Sequence, residues 1–339
     1  MRHLLSAMGA AALAIGLLAS PAEASTLDQV KARGTLRCGV VPDLPGLSVL
    51  DSRGEWQGFH ADICRAIAAA VLQDARKVTF VALTLQARFT ALQSGEVDLL
   101  ETPTALSVTR DLTLGLTTPV MTMMTGQAVM VSTRLNVTGV KQLDGATVCA
   151  IQGSEIERNL QDYGTSQGIT FRTVAYDTAT TLLTALSAGR CDAVSNDVFS
   201  LAGYRESLPD RANWRILPEL VAKEPHGIMV RGDDLAWASL MRWAVFALIQ
   251  AEELGITRGN LEQRAATAGD EKARRFLEGL ASNGRDFGLQ RGWTGRAVAA
   301  SGNYGEIYER HLGHGGLQLD RGPNRLWTDG GMLASWLWQ

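Results

Sequence analysis

The sequence predicts an α/β protein built from two similar lobes, and its length and an internal repeat carry this prediction. The chain has 339 residues, enough for two domains with cores of their own. Residues 91–100 (ALQSGEVDLL) and 185–194 (ALSAGRCDAV) each end an amphipathic helix at a glycine and enter an apolar strand through an aspartate. A strand candidate precedes each helix, at 78–83 and at 170–175. The matched strand–helix–strand order is typical of parallel sheets with right-handed crossovers.

The first 24 residues predict a secretory signal peptide. Arg2 and His3 precede an apolar run over 4–19, and the AEA sequence at 22–24 offers small residues where a signal peptidase cleaves. A short membrane anchor is the weaker alternative, because the run is below the roughly 20 residues that span a bilayer. We expect a periplasmic mature chain that begins near Ser25, without a lipid anchor because no cysteine follows the cleavage site.

Further elements complete the two lobes. Residues 35–41 predict the first strand of lobe one, 128–131 and 147–150 predict strands of lobe two, and 155–163 predict a helix with Ser154 as its N-cap.

The chain is predicted to cross between the lobes near Pro119 and Pro225, so that lobe two is an insertion in lobe one. The predicted domains are a signal peptide (1–24), lobe one (25–119), lobe two (120–222), and the return to lobe one with a C-terminal extension (223–339).

Four cysteines, Cys38, Cys64, Cys149 and Cys191, predict disulfides, because an even number in an exported chain is typical of them. Three pairings are possible. The chain order favours Cys38–Cys64 and Cys149–Cys191, since each pair then lies within one lobe. The sequence has no CxxC spacing and no histidine cluster, so we expect no metal and no other cofactor.

The charge balance argues against a nucleic-acid partner. The chain has 32 basic and 35 acidic residues, a net charge of −3, which offers no electrostatic footprint for a polyanion.

Polar segments that follow the two repeated strands predict a ligand cleft. Ligands of open α/β sheets bind at the carboxyl ends of strands. The segment after Leu100 leads to Arg110, and the segment after Val194 leads to Asp197. An arginine binds a carboxylate through two hydrogen bonds, and an aspartate suits an ammonium. A small zwitterion could therefore span the lobes, although both residues could equally be surface charges.

Several longer motifs resemble a known family. They cover most of the chain: VKARG at 30–34, RFTALQSGEVD at 88–98, AGRCD at 188–192, KEP at 223–225, GNYGEI at 302–307 and GGM at 330–332. The sequence resembles the amino-acid-binding receptors of bacterial ABC transporters, family 3 of the solute-binding proteins, and among them the general L-amino-acid-binding receptors. The resemblance implies a type II periplasmic-binding-protein fold, each lobe a mixed sheet flanked by helices.

The resemblance also implies a function and the residues that serve it. Arg110 stands at the family's carboxylate-binding arginine, and Asp197 stands at the residue that receives the α-ammonium. The expected partners are a zwitterionic amino acid and an ABC permease, and the expected state is a monomer. In the bound form, Arg110 and Asp197 should face each other and be paired by ligand charges instead of by protein.

Other positions are implied less directly. Ser154 and Glu155 lie where lobe two offers backbone N–H groups at a helix start, a favourable anion site. Leu47 and Leu85 lie near positions that wall the ligand side chain, and both could equally belong to the core.

The sequence departs from the family pattern at two places, and the first of them leaves the ligand's identity open. The family's Arg-Asn-Thr-Thr run is replaced by TPTA, where Thr102 lacks the charge, Pro103 lacks a donor N–H, and Ala105 lacks the hydroxyl directed at the ligand. The lost arginine disfavours acidic ligands. His60 replaces a usual acidic residue, and we expect it at a solvent-facing helix start.

Two other functional classes remain as alternatives. One is an enzyme on the same fold, such as a cyclohexadienyl dehydratase, for which Glu101 and Glu155 are the acid–base candidates. No nucleophile elbow, HExxH motif or glycine-rich phosphate loop accompanies them. The other is a ligand-sensing module for a membrane receptor. We predict a non-enzymatic solute-binding protein.

Overall fold

The computed structural model describes residues 24–267, 269–279 and 287–338. The predicted signal peptide lies outside these ranges except for its last residue. The strands are β1 Leu36–Val40, β2 Val49–Leu50, β3 Trp56–Gln57, β4 Val78–Ala82, β5 Leu99–Leu100, β6 Leu116–Ser132, β7 Thr147–Ile151, β8 Arg172–Tyr176, β9 Ala193–Asp197, β10 Trp214–Ile216 and β11 Ala222–Arg231. The α-helices are α1 Thr26–Arg33, α2 Phe59–Leu72, α3 Arg88–Gln93, α4 Val108–Thr113, α5 Ile156–Gln167, α6 Ala179–Ser187, α7 Val198–Ser207, α8 Leu235–Glu253, α9 Leu261–Ala266, α10 Glu271–Glu278, α11 Trp293–Ser301 and α12 Tyr304–His311.

One hydrogen-bonded sheet runs through both lobes in the order β4-β1-β5-β11-β6-β9-β7-β8, with β10 beside β6. Strands β4, β1 and β5 are parallel and form lobe one, and β9, β7 and β8 are parallel and form lobe two. The shared strand β11 runs antiparallel to the lobe-one strands, and the shared strand β6 runs antiparallel to the lobe-two strands. The two shared strands are antiparallel to each other. Each lobe therefore has a mixed sheet flanked by helices, and the predicted fold class is confirmed.

The internal repeat is reproduced in detail. Gly95 and Gly189 follow the ends of α3 and α6 with φ of +72° and +69°, values that glycine adopts without strain. After each turn an aspartate enters the strand, and its carboxylate accepts the backbone N–H of a neighbouring strand: Asp98 from Arg37 at 2.7 Å and Asp192 from Thr147 at 2.8 Å. The strand–helix–strand prediction is confirmed in both copies.

The lobes are joined by two long strands. Pro119 lies inside β6 and Pro225 inside β11, so the chain crosses between the lobes without leaving the sheet. The ladder between these strands shifts register between His226 and Gly227 and again before Val230. Such irregularities bend a strand and increase its twist. The strand predicted at 128–131 is thus only the end of a 17-residue strand.

Two local expectations need correction. Helix α5 begins at Ile156 with Glu155 at its N-cap position, although the Ser154 hydroxyl does accept the Ile156 N–H at 3.4 Å while it donates to the carbonyl of Ile151 at 2.6 Å. His60 is 1 % exposed instead of facing solvent, because α2 is buried on nearly all sides.

The C-terminal residues pack mainly on lobe one. Helix α11 lies against α2 and α8, and α12 lies against the same two helices. Trp338 closes this region by edge-to-face contact with Trp243 and Phe276. Among the described residues, no helix combines the length and apolar character that a membrane crossing requires.

Candidate ligand site between the lobes

The two lobes touch each other across the predicted cleft. Gly153 of lobe two has φ of +78°, and a Cβ there would lie 2.9 Å from Gln86 Oε1 and 3.1 Å from the Gln86 backbone. A Cβ on Gly203 of α7 would lie 2.6 Å from the carbonyl oxygen of Pro45 in lobe one. The backbones approach too closely for a side chain at either glycine, which indicates a closed arrangement of the lobes.

Arg110 comes from α4 of lobe one and is buried. Its Nη1 donates to the carbonyl of Ala105 at 2.6 Å, and its Nη2 lies 3.5 Å from Glu155 Oε1 in lobe two. The guanidinium also lies over the ring of Phe89 at 5.4 Å. Burial lowers the pKa of Arg110, while Glu155 acts in the opposite direction. Glu155 is thus a protein carboxylate beside Arg110 in this arrangement. The expected pairing of Arg110 with a ligand carboxylate concerns the bound form and stays a prediction.

Arg88 is a second arginine of the site, and we did not single it out from the sequence. It is 1 % exposed at the start of α3. Its Nε donates to Thr104 Oγ1 at 2.8 Å, and both Nη atoms lie 3.3 Å from the Gly153 carbonyl of lobe two. Among the described residues its hydrogen-bond acceptors are hydroxyl and carbonyl oxygens. Burial without a bonded carboxylate lowers the pKa of Arg88 well below its ordinary value.

Thr102 and Pro103, at the departure from the family pattern, have different surroundings. The Thr102 hydroxyl lies 2.7 Å from that of Thr104, which in turn accepts from Arg88. Thr102 thus supports the neighbouring arginine. Pro103 faces a cavity between the lobes instead.

Asp197 ends β9 and begins α7. Its Oδ1 accepts the backbone N–H groups of Phe199 and Ser200 at 3.0 Å each, an N-cap arrangement that the sequence places there because aspartate is a favoured cap. Its Oδ2 is buried and has no hydrogen-bond partner among the described residues. Asp197 is 1 % exposed, so this oxygen is a hydrogen-bond acceptor shielded from water and without a donor among the described residues.

A second acidic side chain lies beside Asp197. Glu224 and His226 flank Pro225 on β11, with Glu224 Oε2 at 3.6 Å from His226 Nε2. Burial raises the pKa of Glu224, while His226 acts against this shift. Ligand atoms of these two residues and Asp197 all lie within 4.8 Å of one another. Two carboxylates and an imidazole could bind a divalent cation, and the two carboxylates equally suit an ammonium group.

Glu101 is also buried, and it lies against β6, one of the two strands that join the lobes. Its Oε1 accepts from the Thr122 hydroxyl at 3.1 Å, and its Oε2 has no partner among the described residues. Burial raises the pKa of Glu101 to about 8, and the Thr122 bond only partly offsets this. A neutral acid is the favoured form at neutral pH.

A small cavity of about 50 Å³ lies between the lobes. Leu85 and Pro103 line it from lobe one, and Asn196, Ser200 and Tyr204 line it from lobe two. The Asn196 amide donates to Tyr204 Oη at 2.9 Å, while Ser200 Oγ has no partner among the described residues. Both lobes therefore line the cavity with apolar and polar residues.

The remaining wall candidate lies elsewhere. Leu47 is 1 % exposed and belongs to the main core, and it is not among the residues that line this cavity.

The structure therefore brings most of the sequence-predicted residues to one region and adds others. Arg110, Glu155, Ala105 and the Pro103 loop lie at the contact of the lobes. The residues that sequence reasoning missed are Arg88, Glu224 and His226. Arg88 and Glu224 had a signal, because they lie in the RFTALQSGEVD and KEP motifs of the family resemblance. His226 had none beyond its polar character, and its burial cannot be recognised from sequence.

The chain is similar to several known binding proteins. Residues 36–142 match the family of bacterial extracellular solute-binding proteins, family 3. The glutamate/glutamine/aspartate/asparagine-binding protein BztA of Rhodobacter capsulatus is 43% identical over 326 residues, covering 96% of both chains. The general L-amino acid-binding periplasmic protein AapJ of Rhizobium johnstonii is 40% identical, again over 96% of both chains.

A solved structure shares the whole architecture. A periplasmic binding protein of an ABC transporter from Brucella ovis, with glutathione bound, is 39% identical and superimposes with a TM-score of 0.88. The match covers 91% of the present chain and 98% of that chain. These relatives are named as binding proteins and not as enzymes, which decides against the dehydratase alternative. The chain belongs to family 3 of the bacterial extracellular solute-binding proteins.

Proposed function

We propose that the protein captures a small amino acid or amino-acid-like molecule between its lobes, with Arg110 on its carboxylate and Asp197 on its ammonium. The observation that carries this proposal is the buried, unpartnered Oδ2 of Asp197, with a second carboxylate nearby. A buried carboxylate oxygen without a donor costs free energy, and a ligand ammonium would remove that cost.

The arginine side of the site fits the same ligand. Glu155 touches Arg110 at 3.5 Å, longer than a good charge-assisted hydrogen bond. An incoming carboxylate would take a bidentate place on Arg110, and Glu155 would turn aside. Leu85 and Pro103 would then contact the ligand side chain, while Ser154 and Glu155 would offer backbone N–H groups from lobe two.

The proposal extends to the cell. The relatives are periplasmic binding proteins of ABC transporters, so we infer that this chain is exported through its N-terminal 24 residues and delivers its ligand to an ABC permease as a monomer. The domain limits of 25–119, 120–222 and 223–339 belong to the same proposal. A sensing role would use the same cleft, and neighbouring permease and ATPase genes would favour transport.

A thermal-shift screen of the purified mature protein against all amino acids and small peptides tests the function. We expect at least one compound with an α-ammonium and a carboxylate to raise the melting temperature. Derivatives of that compound with the amine acetylated or the carboxylate amidated should have little effect. Equal stabilisation by the blocked derivatives would contradict the proposed charge clamp.

A further inference from the structure

The C-terminal extension, meaning α12 and the residues after it, contacts β6, the crossover strand, at the point where the lobes join. Strand β9 pairs with β6 only from Gln127 onward, so the β6 edge before that residue lies beyond the end of β9. Asn324 occupies this edge: Met124 N donates to Asn324 Oδ1 at 2.7 Å, and Asn324 Nδ2 donates to Met124 O at 2.8 Å. One carboxamide thus satisfies both backbone groups of Met124, as a neighbouring strand would.

The same edge is held two residues earlier by a second side chain. The buried Tyr304 donates its hydroxyl to the carbonyl of Thr122 at 2.9 Å. Thr122 in turn donates its own hydroxyl to Glu101 of lobe one. Pro225, the ladder partner of Met124, directs its carbonyl to lobe one on the other side of β11, so the backbone groups of Met124 point at the extension and not at Pro225. The crossover therefore depends on the extension for backbone hydrogen bonds at this edge.

Asn324 is held rigidly at this position. It is 1 % exposed, and Arg321 donates to its backbone carbonyl through Nε at 3.1 Å and Nη2 at 2.8 Å. Arg321 is itself anchored on Glu252 of α8, with Nη2 at 3.1 Å from Oε2. The pair is mostly buried, at 14% and 15% side-chain exposure. The carboxamide is thus connected to the body of lobe one.

The extension also reaches lobe two. The ring of Tyr308 meets the ring of Phe199 edge to face, with centroids 6.1 Å apart. Phe199 lies in the first turn of α7, and its backbone N–H is one of the two that Asp197 accepts. A rotation of lobe two away from lobe one would move Phe199 relative to Tyr308, because α12 stays packed on lobe one.

We propose that Tyr304, Tyr308 and Asn324 form a hinge brace that stabilises the closed arrangement of the lobes and so raises ligand affinity. This inference rests on the proposed function. The contacts of the brace are present when the lobes are closed, and opening of the lobes would alter the contact between Tyr308 and Phe199. Contacts that favour one conformation shift the equilibrium toward it, and the apparent affinity follows the fraction of competent protein.

The substitution Asn324→Ala tests the brace, with Arg325→Ala as the matched control. Arg325 is exposed, and its side chain donates to the nearby Gly322 carbonyl at 3.2 Å, away from β6. We expect Asn324→Ala to weaken ligand binding about fivefold to thirtyfold, the loss of one or two net hydrogen bonds. We expect the ligand-free variant to show a larger radius of gyration in solution scattering. The control should match the parent in both measurements.

Hydrogen exchange provides a readout that needs no ligand. The Met124 amide should exchange at least tenfold faster in Asn324→Ala than in the parent, while amides of β7 should keep their rates. Tyr308→Ala removes the ring contact with Phe199 and should weaken binding as well. Unchanged affinity and scattering in Asn324→Ala, with faster Met124 exchange, would overturn the brace as a regulator. If the parent binds no amino-acid-like ligand, the proposed function fails instead, and the scattering comparison alone decides the brace.

Discussion

Asp197 combines two tasks in one carboxylate, because Oδ1 caps helix α7 while Oδ2 remains free within the cleft. A charge-removing substitution must therefore keep the cap. Asp197→Asn retains an acceptor oxygen, whereas Asp197→Ala also removes the cap, which costs about 1 kcal/mol of stability. Alanine variants of Arg110 and Asp197 are not expected to be neutral for folding, because neither side chain faces water.

We predict that Arg110→Ala and Asp197→Asn each weaken binding of the screened ligand by about 30-fold to several thousand-fold. The reason is that truncating one member of a desolvated charge pair costs roughly 2 to 5 kcal/mol. Titration calorimetry on the two variants and the parent measures the effect. Asp111→Asn, an exposed acidic residue on the same helix as Arg110, serves as the control. Parent-like affinity in both site variants would show that the site assignment is wrong.

The departure at residue 105 offers a complementary test. Ala105 binds Arg110 through its carbonyl, so its side chain is free to change without losing that bond. We expect Ala105→Ser to tighten binding of an α-amino acid, because the added hydroxyl supplies the hydrogen bond that the family pattern provides. Calorimetry with the same ligand checks this. Weaker binding would indicate a ligand without an α-ammonium group.

Two buried titratable residues give the protein opposite pH dependences. Burial raises the pKa of Glu101 to about 8 from 4.5, so the stability associated with its neutral form is lost as pH rises from 4.5 to 8. Burial, with a smaller effect of His226, lowers the pKa of His60 to about 3 from 6.5. Stability associated with neutral His60 is lost as pH falls from 6.5 to 3. Between pH 4.5 and 6.5 the two effects on stability oppose each other, because a rise in pH lowers the contribution of Glu101 and raises that of His60.

Above pH 6.5 the stability contribution of His60 no longer changes with pH, so of these two residues only Glu101 makes stability depend on pH. From pH 6.5 to pH 8 the contribution of Glu101 should fall by about 2 kcal/mol. Glu101→Gln removes the ionisation while keeping the shape and the Thr122 bond. Urea unfolding at both pH values should show this loss in the parent and not in the variant. Equal losses in the two proteins would contradict a buried neutral Glu101.

At the scale of elements, the sequence predicted the features that local patterns determine. It missed the features that depend on packing between segments distant in sequence. The repeat was predictable because Gly95 and Gly189 terminate helices through their own backbone preference. Strand β6 was predicted only in its last part, because Pro119 and Gly126 interrupt the apolar run and only the pairing with β11 makes it continuous. The burial of helix α2, which contains His60, likewise depends on α11 and α12, which lie more than 200 residues away in sequence.

The close approach of the lobes at Gly153 predicts a selective defect. Gly153→Ala would place a Cβ 3.1 Å from the Gln86 backbone, so it should hinder closure and weaken ligand binding at least tenfold. Gly189→Ala is a matched control, since Gly189 has a similar positive φ and nothing within 4 Å of the added Cβ. Both variants should lose about 1 kcal/mol of stability from the left-handed backbone. Calorimetry should separate them, and equal affinities would contradict the closed arrangement.

At the scale of the whole molecule, the two lobes share both a sheet and a core. Strands β6 and β11 belong to the ladders of both lobes, and one apolar cluster contains Leu36 and Ile63 of lobe one together with Leu182 and Leu201 of lobe two. Interfaces between independent domains are usually more polar than this. The two lobes should therefore unfold as one cooperative unit, even though each was recognisable in the sequence as a separate copy of the repeat.

The disulfides offer a way to test that coupling. The structure pairs Cys38 with Cys64 and Cys149 with Cys191, one bond in each lobe, with sequence separations of 26 and 42 residues. Removing either bond by a double alanine substitution should cost roughly 3 to 4 kcal/mol, because each loop restricts the unfolded chain. Since the lobes share a core, both variants should melt in a single transition at lower temperature. Differential scanning calorimetry measures this, after peptide mapping under non-reducing conditions has verified the bond that remains. A second, unshifted transition in the Cys149→Ala/Cys191→Ala variant would show that lobe one folds independently of lobe two.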